Sequence, residues 1–285
     1  MTDRKKKTLI IGGIAAFAVA LAYAFRIAGR GSFYPTLFSY LRSFIYIGLY
    51  ATWGLSVRQR VMQKQAKVFL TAVSVLLILW MTLRTAKYFI FWQAAAMRYL
   101  WYMFYLPMML VPLLAVFIAM SLSKPDNYRL PKGTMALWAI SGMLFAIVIT
   151  NDLHQCVFTF PKDAVEWLDT DHGYAMLYYI CVGWQIICAA AALILMVFNC
   201  RVPNGKRRLW PVISLALSVL YSVLYYLGLP WLRSVFGDIT AFQSLMYVLT
   251  FEACIACGYI HSNSRYADLF ASSVGTSAEI TDGEY

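Results

Sequence analysis

Eight apolar runs divide the chain, each close to the length that crosses a bilayer. They lie near 8–25, 36–57, 68–90, 98–122, 134–158, 174–199, 209–231 and 240–260. A hydrocarbon core of about 30 Å takes roughly 20 residues of α-helix, so each run predicts one span. Arg84 and Lys87 interrupt the far end of the third run. In the fifth, "FAIVITNDLHQCVF" (145–158) sets Asn151, Asp152, His154 and Gln155 inside otherwise apolar sequence. Polar groups there are expensive unless something satisfies them. Pro107 and Pro112 fall inside the fourth run. Helix breaks of this kind are tolerated in lipid, because neighbouring groups take up the freed backbone bonds. No internal repeat is visible, which gives an inverted-repeat transporter no support.

The polar gaps set an orientation. The N-terminus carries Arg4 to Lys7, the second gap Arg58, Arg60, Lys64 and Lys67, the fourth Lys124, Arg129 and Lys132, and the sixth Arg201, Lys206, Arg207 and Arg208. The alternate gaps hold fewer basic residues, and the fifth, "PKDAVEWLDTDHG", is acidic. The excess of Lys and Arg places both ends and the even gaps in the cytoplasm, as expected for the inner membrane of a bacterium. Two inside ends need an even number of spans, and eight fits. A basic start, an apolar run and "AYA" (22–24) also describe a cleavable signal peptide, which leaves seven. The expected fold is therefore all-α: a transmembrane bundle of seven to eight helices. Residues 1–35 form a basic segment with a first span, 36–260 a seven-helix sensor domain, and 261–285 a cytoplasmic tail.

Composition agrees with a polytopic membrane protein: 61% of the 285 residues are hydrophobic and 13% are charged. A net charge of +11 in a soluble chain would suggest nucleic acid. Here the basic residues sit in short gaps between spans, where they orient the chain and touch anionic lipid, so no nucleic-acid partner is expected. The six cysteines all lie in or at the ends of apolar runs. Cys254 and Cys257 form a CxxC inside a helical run with no second pair, so they are read as small packing residues and not a metal or redox site.

The candidate chemistry sits at the outer level. Asn151, His154 and Gln155 are spaced i, i+3, i+4, which puts them on one face of a continuing helix. Asp152 is expected to pair with a cation among Arg42, Arg84 and Arg98, and to share one cluster with His154. Arg84 and Lys87 are otherwise expected to snorkel at the boundary. Gln185 and Glu252 are placed deeper, towards mid-membrane, and an acid at Glu252 must be protonated, paired or wetted. One His and one Asp are too few for a metal site, and neither a metal nor a cofactor is expected. No P-loop, HExxH or GxSxG occurs, so the chain is not expected to be an enzyme.

Three stretches carry a resemblance: "RYLWYMFYLPMMLVPLL" (98–114), "TNDLHQCVFTF" (150–160) and "FEACIACGYIHSNSRYADLFASSVGTSAEITD" (251–282). Together they resemble the family of N-terminal 7TM regions of histidine kinases, over roughly 36–282. The resemblance implies a membrane-embedded sensor followed by a cytoplasmic output such as a PAS domain or a kinase. It maps the family's polar positions onto Asn151, Asp152, His154 and Glu252, and a tail motif onto Ser262, Asn263, Tyr266, Leu269 and Phe270. The chain stops at Tyr285 with no phosphoacceptor or ATP-binding segment. It is expected to be a sensor fragment, or a stand-alone sensor that acts through a partner.

Three functions stay open from sequence. A receptor would bind an unknown small ligand outside and signal through the last span to a cytoplasmic kinase or regulator, or to a second copy of the chain. A transporter would line a path with Gln185 and Glu252. An integral membrane enzyme would use Asp152 and His154 as an acid–base pair.

Overall fold

The structure, a computed structural model, describes residues 3–30, 34–90, 93–122, 124, 128–161, 166–168, 171–199, 209–226 and 238–260. Its helices are α1 (Asp3–Arg30), α2 (Pro35–Arg60), α3 (Lys64–Phe89), α4 (Ala94–Met103), α5 (Tyr105–Ser121), α6 (Thr134–Ile149), the single turn α7 (Asn151–His154), α8 (Met176–Asn199), α9 (Trp210–Tyr226) and α10 (Ile239–Cys257). Two short strands, β1 (Phe158–Thr159) and β2 (Gly173–Tyr174), pair antiparallel between α7 and α8. The output-tail residues Ser262, Asn263, Tyr266, Leu269 and Phe270 lie outside the described residues.

The bundle is all-α, as the periodicity predicts, but the span count is not uniform in kind. Among the described residues five helical stretches are long and apolar enough to cross a bilayer: Gly12–Gly29, Lys64–Tyr88, Ala94–Ser121, Met176–Asn199 and Ile239–Cys257. α6 and α9 are apolar but shorter, at 16 and 17 residues. α2 has 26 residues but carries Arg42, Arg58 and Arg60. Large apolar side chains such as Phe17, Phe44, Val75, Ile187 and Phe198 are exposed on the outer faces. In lipid these are satisfied surfaces.

The fourth apolar run bends where proline chemistry requires it. Pro107 has no N–H to give the carbonyl of Met103, and its ring crowds that carbonyl. The helix accordingly ends at Met103, and the Phe104 N–H donates to Trp101 O at 3.1 Å before α5 resumes. Pro112, in contrast, sits inside an unbroken α5.

The core lies between α2, α3, α5 and α10, filled by Tyr50, Leu70, Leu77, Trp80 and Phe117. α2 and α3 approach closely at one place. A Cβ on Gly54 would lie 2.7 Å from Ser74 Cβ, and Ser74 Oγ donates to Tyr50 O at 2.8 Å. Small residues permit such backbone contact between membrane helices. Gly54→Val is expected to cost roughly 1–3 kcal/mol by overpacking. Gly48→Ala, whose Cβ would meet nothing within 4 Å, is the control. Thermal unfolding of the two purified variants checks this: equal midpoints would reject the close approach. α1 is one 28-residue helix running through Ala22–Ala24, with Ala22 fully buried and Phe25 against Phe38 of α2 at 5.8 Å.

Candidate functional site

Two polar constellations occupy one end of the bundle, called here the hairpin end. It is formed by the starts of α2, α4 and α10, the ends of α3 and α6, and the β1–β2 hairpin.

The first begins where the fifth apolar run stops. That run does not continue as helix through 158. It ends at Ile149, makes the single turn α7, and leaves it at Gln155, whose φ of 49° and ψ of 32° are left-handed. Asn151, His154 and Gln155 therefore do not share a helix face. Asn151 points inward and is fully buried. Its Oδ1 accepts from the N–H groups of Val157 (3.0 Å) and Phe158 (2.9 Å), and its Nδ2 donates to Phe158 O (2.9 Å) and Tyr102 Oη (3.3 Å). One side chain thus folds the chain back on itself. Gln155 Oε1 accepts from Phe160 N–H at 3.2 Å, continuing the same turn. Asn151→Leu strands two buried N–H groups and a carbonyl, each at roughly 1–3 kcal/mol. Loss of hydrogen-exchange protection at 157–160 is the expected result, and unchanged protection would refute the role.

Asp152 faces α4 and not Gln155 or Cys156. Arg98 Nε donates to its two oxygens at 3.1 and 3.0 Å, Arg98 Nη2 reaches Oδ2 at 2.7 Å, and Tyr102 Oη donates to Oδ1 at 2.7 Å. Arg98 Nη1 donates to Trp167 O at 2.6 Å. The guanidinium also lies 5.7 Å from the ring centre of Phe160 and 5.6 Å from that of Trp167. Both charged side chains are about nine-tenths buried, at 10% and 14% exposure. Aromatic packing completes the clasp. Phe158, fully buried, has Trp101 at 4.3 Å, His172 at 5.3 Å, Tyr105 at 5.7 Å and Tyr178 at 5.9 Å from its ring centre. Outside the spans, partial burial raises the Tyr174 phenol above its ordinary pKa, against a lowering hydrogen bond from Tyr178.

His154 is not in this cluster. It is exposed, with Nε2 3.1 Å from Ile147 O and 3.3 Å from Thr150 Oγ1, and Nδ1 accepting from Cys156 N–H at 3.0 Å. The left-handed turn at Gln155 swings it away from Asp152. Among the described residues no group of three or more His, Cys, Asp or Glu side chains comes together as for a metal ion.

The second constellation gathers the other two arginines on an acid that the apolar pattern passes over. Asp238 caps α10, its Oδ1 accepting from Ala241 N–H at 3.2 Å. An acid directly before an apolar helical run is a readable cap signal. What sequence does not show is that the same carboxylate meets Arg84 at 2.6 Å and Arg42 at 3.5 Å. Arg42, Arg84 and Lys87 are 8%, 7% and 1% exposed, so Arg84 and Lys87 turn inward and do not snorkel. Lys87 Nζ lies 4.4 Å from the centre of the Tyr88 ring and 3.3 Å from its hydroxyl.

At the opposite end Glu252 meets two residues of α2. Arg60 Nη2 lies 2.5 Å from its Oε1, and Trp53 Nε1 donates to the same oxygen at 2.8 Å. Glu252 is therefore not a mid-membrane acid. α10 ends at Cys257, five residues on, and the pair sits near the end of both helices. Gln185 Nε2 donates to Cys181 O of its own helix at 3.3 Å and joins neither cluster. Cys254 is fully buried, its Sγ 3.5 Å from Met196 Sδ, and Cys257 is 4% exposed, as packing residues would be.

No curated protein and no solved structure matches the chain. The family described as the N-terminal 7TM region of histidine kinase matches residues 40–257, a stretch that runs from α2 to the last residue of α10 and includes both constellations and the Glu252 pair. The chain is a multi-pass membrane protein and belongs to this family of histidine-kinase N-terminal 7TM regions, the membrane sensor modules.

Proposed function

We propose that the chain is the receptor part of a bacterial signal-transduction system, sensing at the hairpin end and signalling through α10 to a cytoplasmic kinase or regulator. The observation that carries this reading is that α10 is ion-paired at both ends. Asp238 holds it to Arg42 and Arg84 at the hairpin end, and Glu252 holds it to Arg60 at the other. Between them Tyr50 Oη and Ser244 Oγ are 2.7 Å apart, and Trp53 packs on Phe251 at 6.3 Å. The two ends differ in strength. The hairpin-end carboxylate and guanidinia are 9–11% exposed, whereas Arg60 and Glu252 are 37% and 32% exposed. A half-solvated pair contributes little, so a small free energy applied at the buried end is enough to redistribute it. The Lys and Arg residues near Arg60 (Arg58, Lys64, Lys67) put that end in the cytoplasm and the acidic gap outside. The chain itself is read as non-catalytic, and the output belongs to its partner.

The other two readings lose their residues. Asp152 is committed to Arg98 while His154 faces away, so no acid–base pair forms. Gln185 is bonded within its helix and Glu252 is neutralised, which leaves a transport path without its deep polar groups.

The test is a fusion of the full chain to a histidine-kinase core, with autophosphorylation measured in membranes. Glu252→Gln is expected to change the resting kinase level several-fold at equal membrane abundance, and Gln185→Leu to leave it unchanged. An unaltered level in Glu252→Gln would reject α10 as the output element.

A further inference from the structure

We infer that Arg42, Arg84 and Lys87 form an anion-binding site at the hairpin end, which takes a carboxylate or phosphate group. The inference rests on the receptor reading only in naming the class of stimulus.

Charge is the first observation. Three cations that are at least 92% buried surround one carboxylate, Asp238. Asp152 is occupied by Arg98 and Glu252 by Arg60. The neighbouring stretch 227–237 contributes Arg233 and no acid to the sequence. Isolated buried charge is costly, and uncompensated positive charge at this density calls for a counter-ion.

The second observation is independent of charge counting. Arg42 Nε and Arg84 Nη1 are buried and have no hydrogen-bond partner among the described residues. Buried guanidinium N–H groups are otherwise almost always satisfied. The two donors come from different helices, α2 and α3, and both side chains already touch the same Asp238. Planar guanidinium forks match the oxygens of carboxylates and phosphates. The adjacent N-terminus of α10 adds the positive end of a helix dipole.

The oxyanion can come from a free solute or from the headgroup of an anionic lipid, since the site lies at a membrane boundary. Purified full-length chain in nanodiscs of phosphatidylcholine separates these. Thermal unfolding is followed while inorganic phosphate or succinate is added, against sodium chloride at matched ionic strength. A parallel arm adds phosphatidylglycerol to the disc.

A saturable rise of the midpoint with phosphate or succinate in the neutral disc identifies a free-anion site. A rise with phosphatidylglycerol that abolishes the solute response identifies a headgroup site. In Arg42→Gln and Arg84→Gln the apparent affinity is expected to fall roughly tenfold to a hundredfold, the value of a hydrogen bond to a charged group. Arg58→Gln, at the exposed far end, is expected to bind as wild type.

No shift beyond chloride in either wild-type arm overturns the site, and that decision needs no variant to fold. An undiminished shift in both arginine variants overturns it as well. Binding is read without any kinase, so its failure leaves the α10 reading standing, and a silent Glu252→Gln fusion leaves the anion site standing.

Discussion

An Asp152→Asn chain is expected to lose about 3–5 kcal/mol of stability, the cost of leaving one member of a buried ion pair uncompensated. The change is nearly isosteric, so packing around Phe158 is kept and the charge alone is removed. Arg98 then keeps its bond to Trp167 O but loses both carboxylate oxygens. The loss should be local before it is global. The hairpin from Val157 to Tyr174 hangs on Arg98, Asn151 and the aromatic stack, so hydrogen exchange there should accelerate most. A coupling test sharpens the claim. The double variant Arg98→Gln with Asp152→Asn should lose clearly less than the sum of the singles, because it removes both charges together. Additive losses, or an Asp152→Asn midpoint equal to wild type, would show that the pair is not the clasp.

The second large effect is expected at Asp238, where one carboxylate serves two purposes. Asn caps a helix about as well as Asp, so Asp238→Asn keeps the bond to Ala241 N–H and removes only the charge that faces Arg42 and Arg84. With three buried cations and no acid, the starts of α2 and α10 and the end of α3 should splay. A loss of about 3–5 kcal/mol is again the scale. Asp238→Ala should lose about 1 kcal/mol more, the ordinary value of the cap. The order of unfolding midpoints is therefore wild type, then Asn, then Ala. If the Asn variant matches wild type and only Ala falls, Asp238 is a cap and nothing else. If the anion site exists, phosphate should rescue the wild type less than it rescues neither variant's missing pair, since the cationic cluster is retained in both.

Much of this architecture is legible in the apolar pattern. The runs near 36–57, 68–90 and 174–199 correspond closely to α2, α3 and α8, because continuous apolarity over 20 residues has few other solutions. The kink in the fourth run follows from Pro107 alone. What the pattern hides is where helix gives way to non-helix among residues that are still apolar or amphipathic. Asn151 ends the fifth run by capturing the backbone of Val157 and Phe158, a bond that periodicity has no means to show. The pairing of cations is hidden for a different reason. Asp152 had three arginines within plausible reach by level, and the structure selects Arg98 because α4 packs beside α6 while α2, α3 and α10 meet one another. Level along a helix is written in the sequence; which helices are neighbours is not.

The two acids of α10 and the two arginines of α2 that hold them also share a helical phase. Arg42 and Arg60 are 18 residues apart, which is about five whole turns, so they project from one side of α2. Asp238 and Glu252 are 14 residues apart, just short of four turns, and project from nearly one side of α10. The two helices therefore engage like a key with teeth at both ends. A twist of α10 about its axis withdraws both acids together, and so does a slide along it. One residue inserted between the acids would turn Glu252 by about 100° relative to Asp238, and the two engagements could no longer be made at once. The length of α10 is thereby under the same constraint as the identity of its charges.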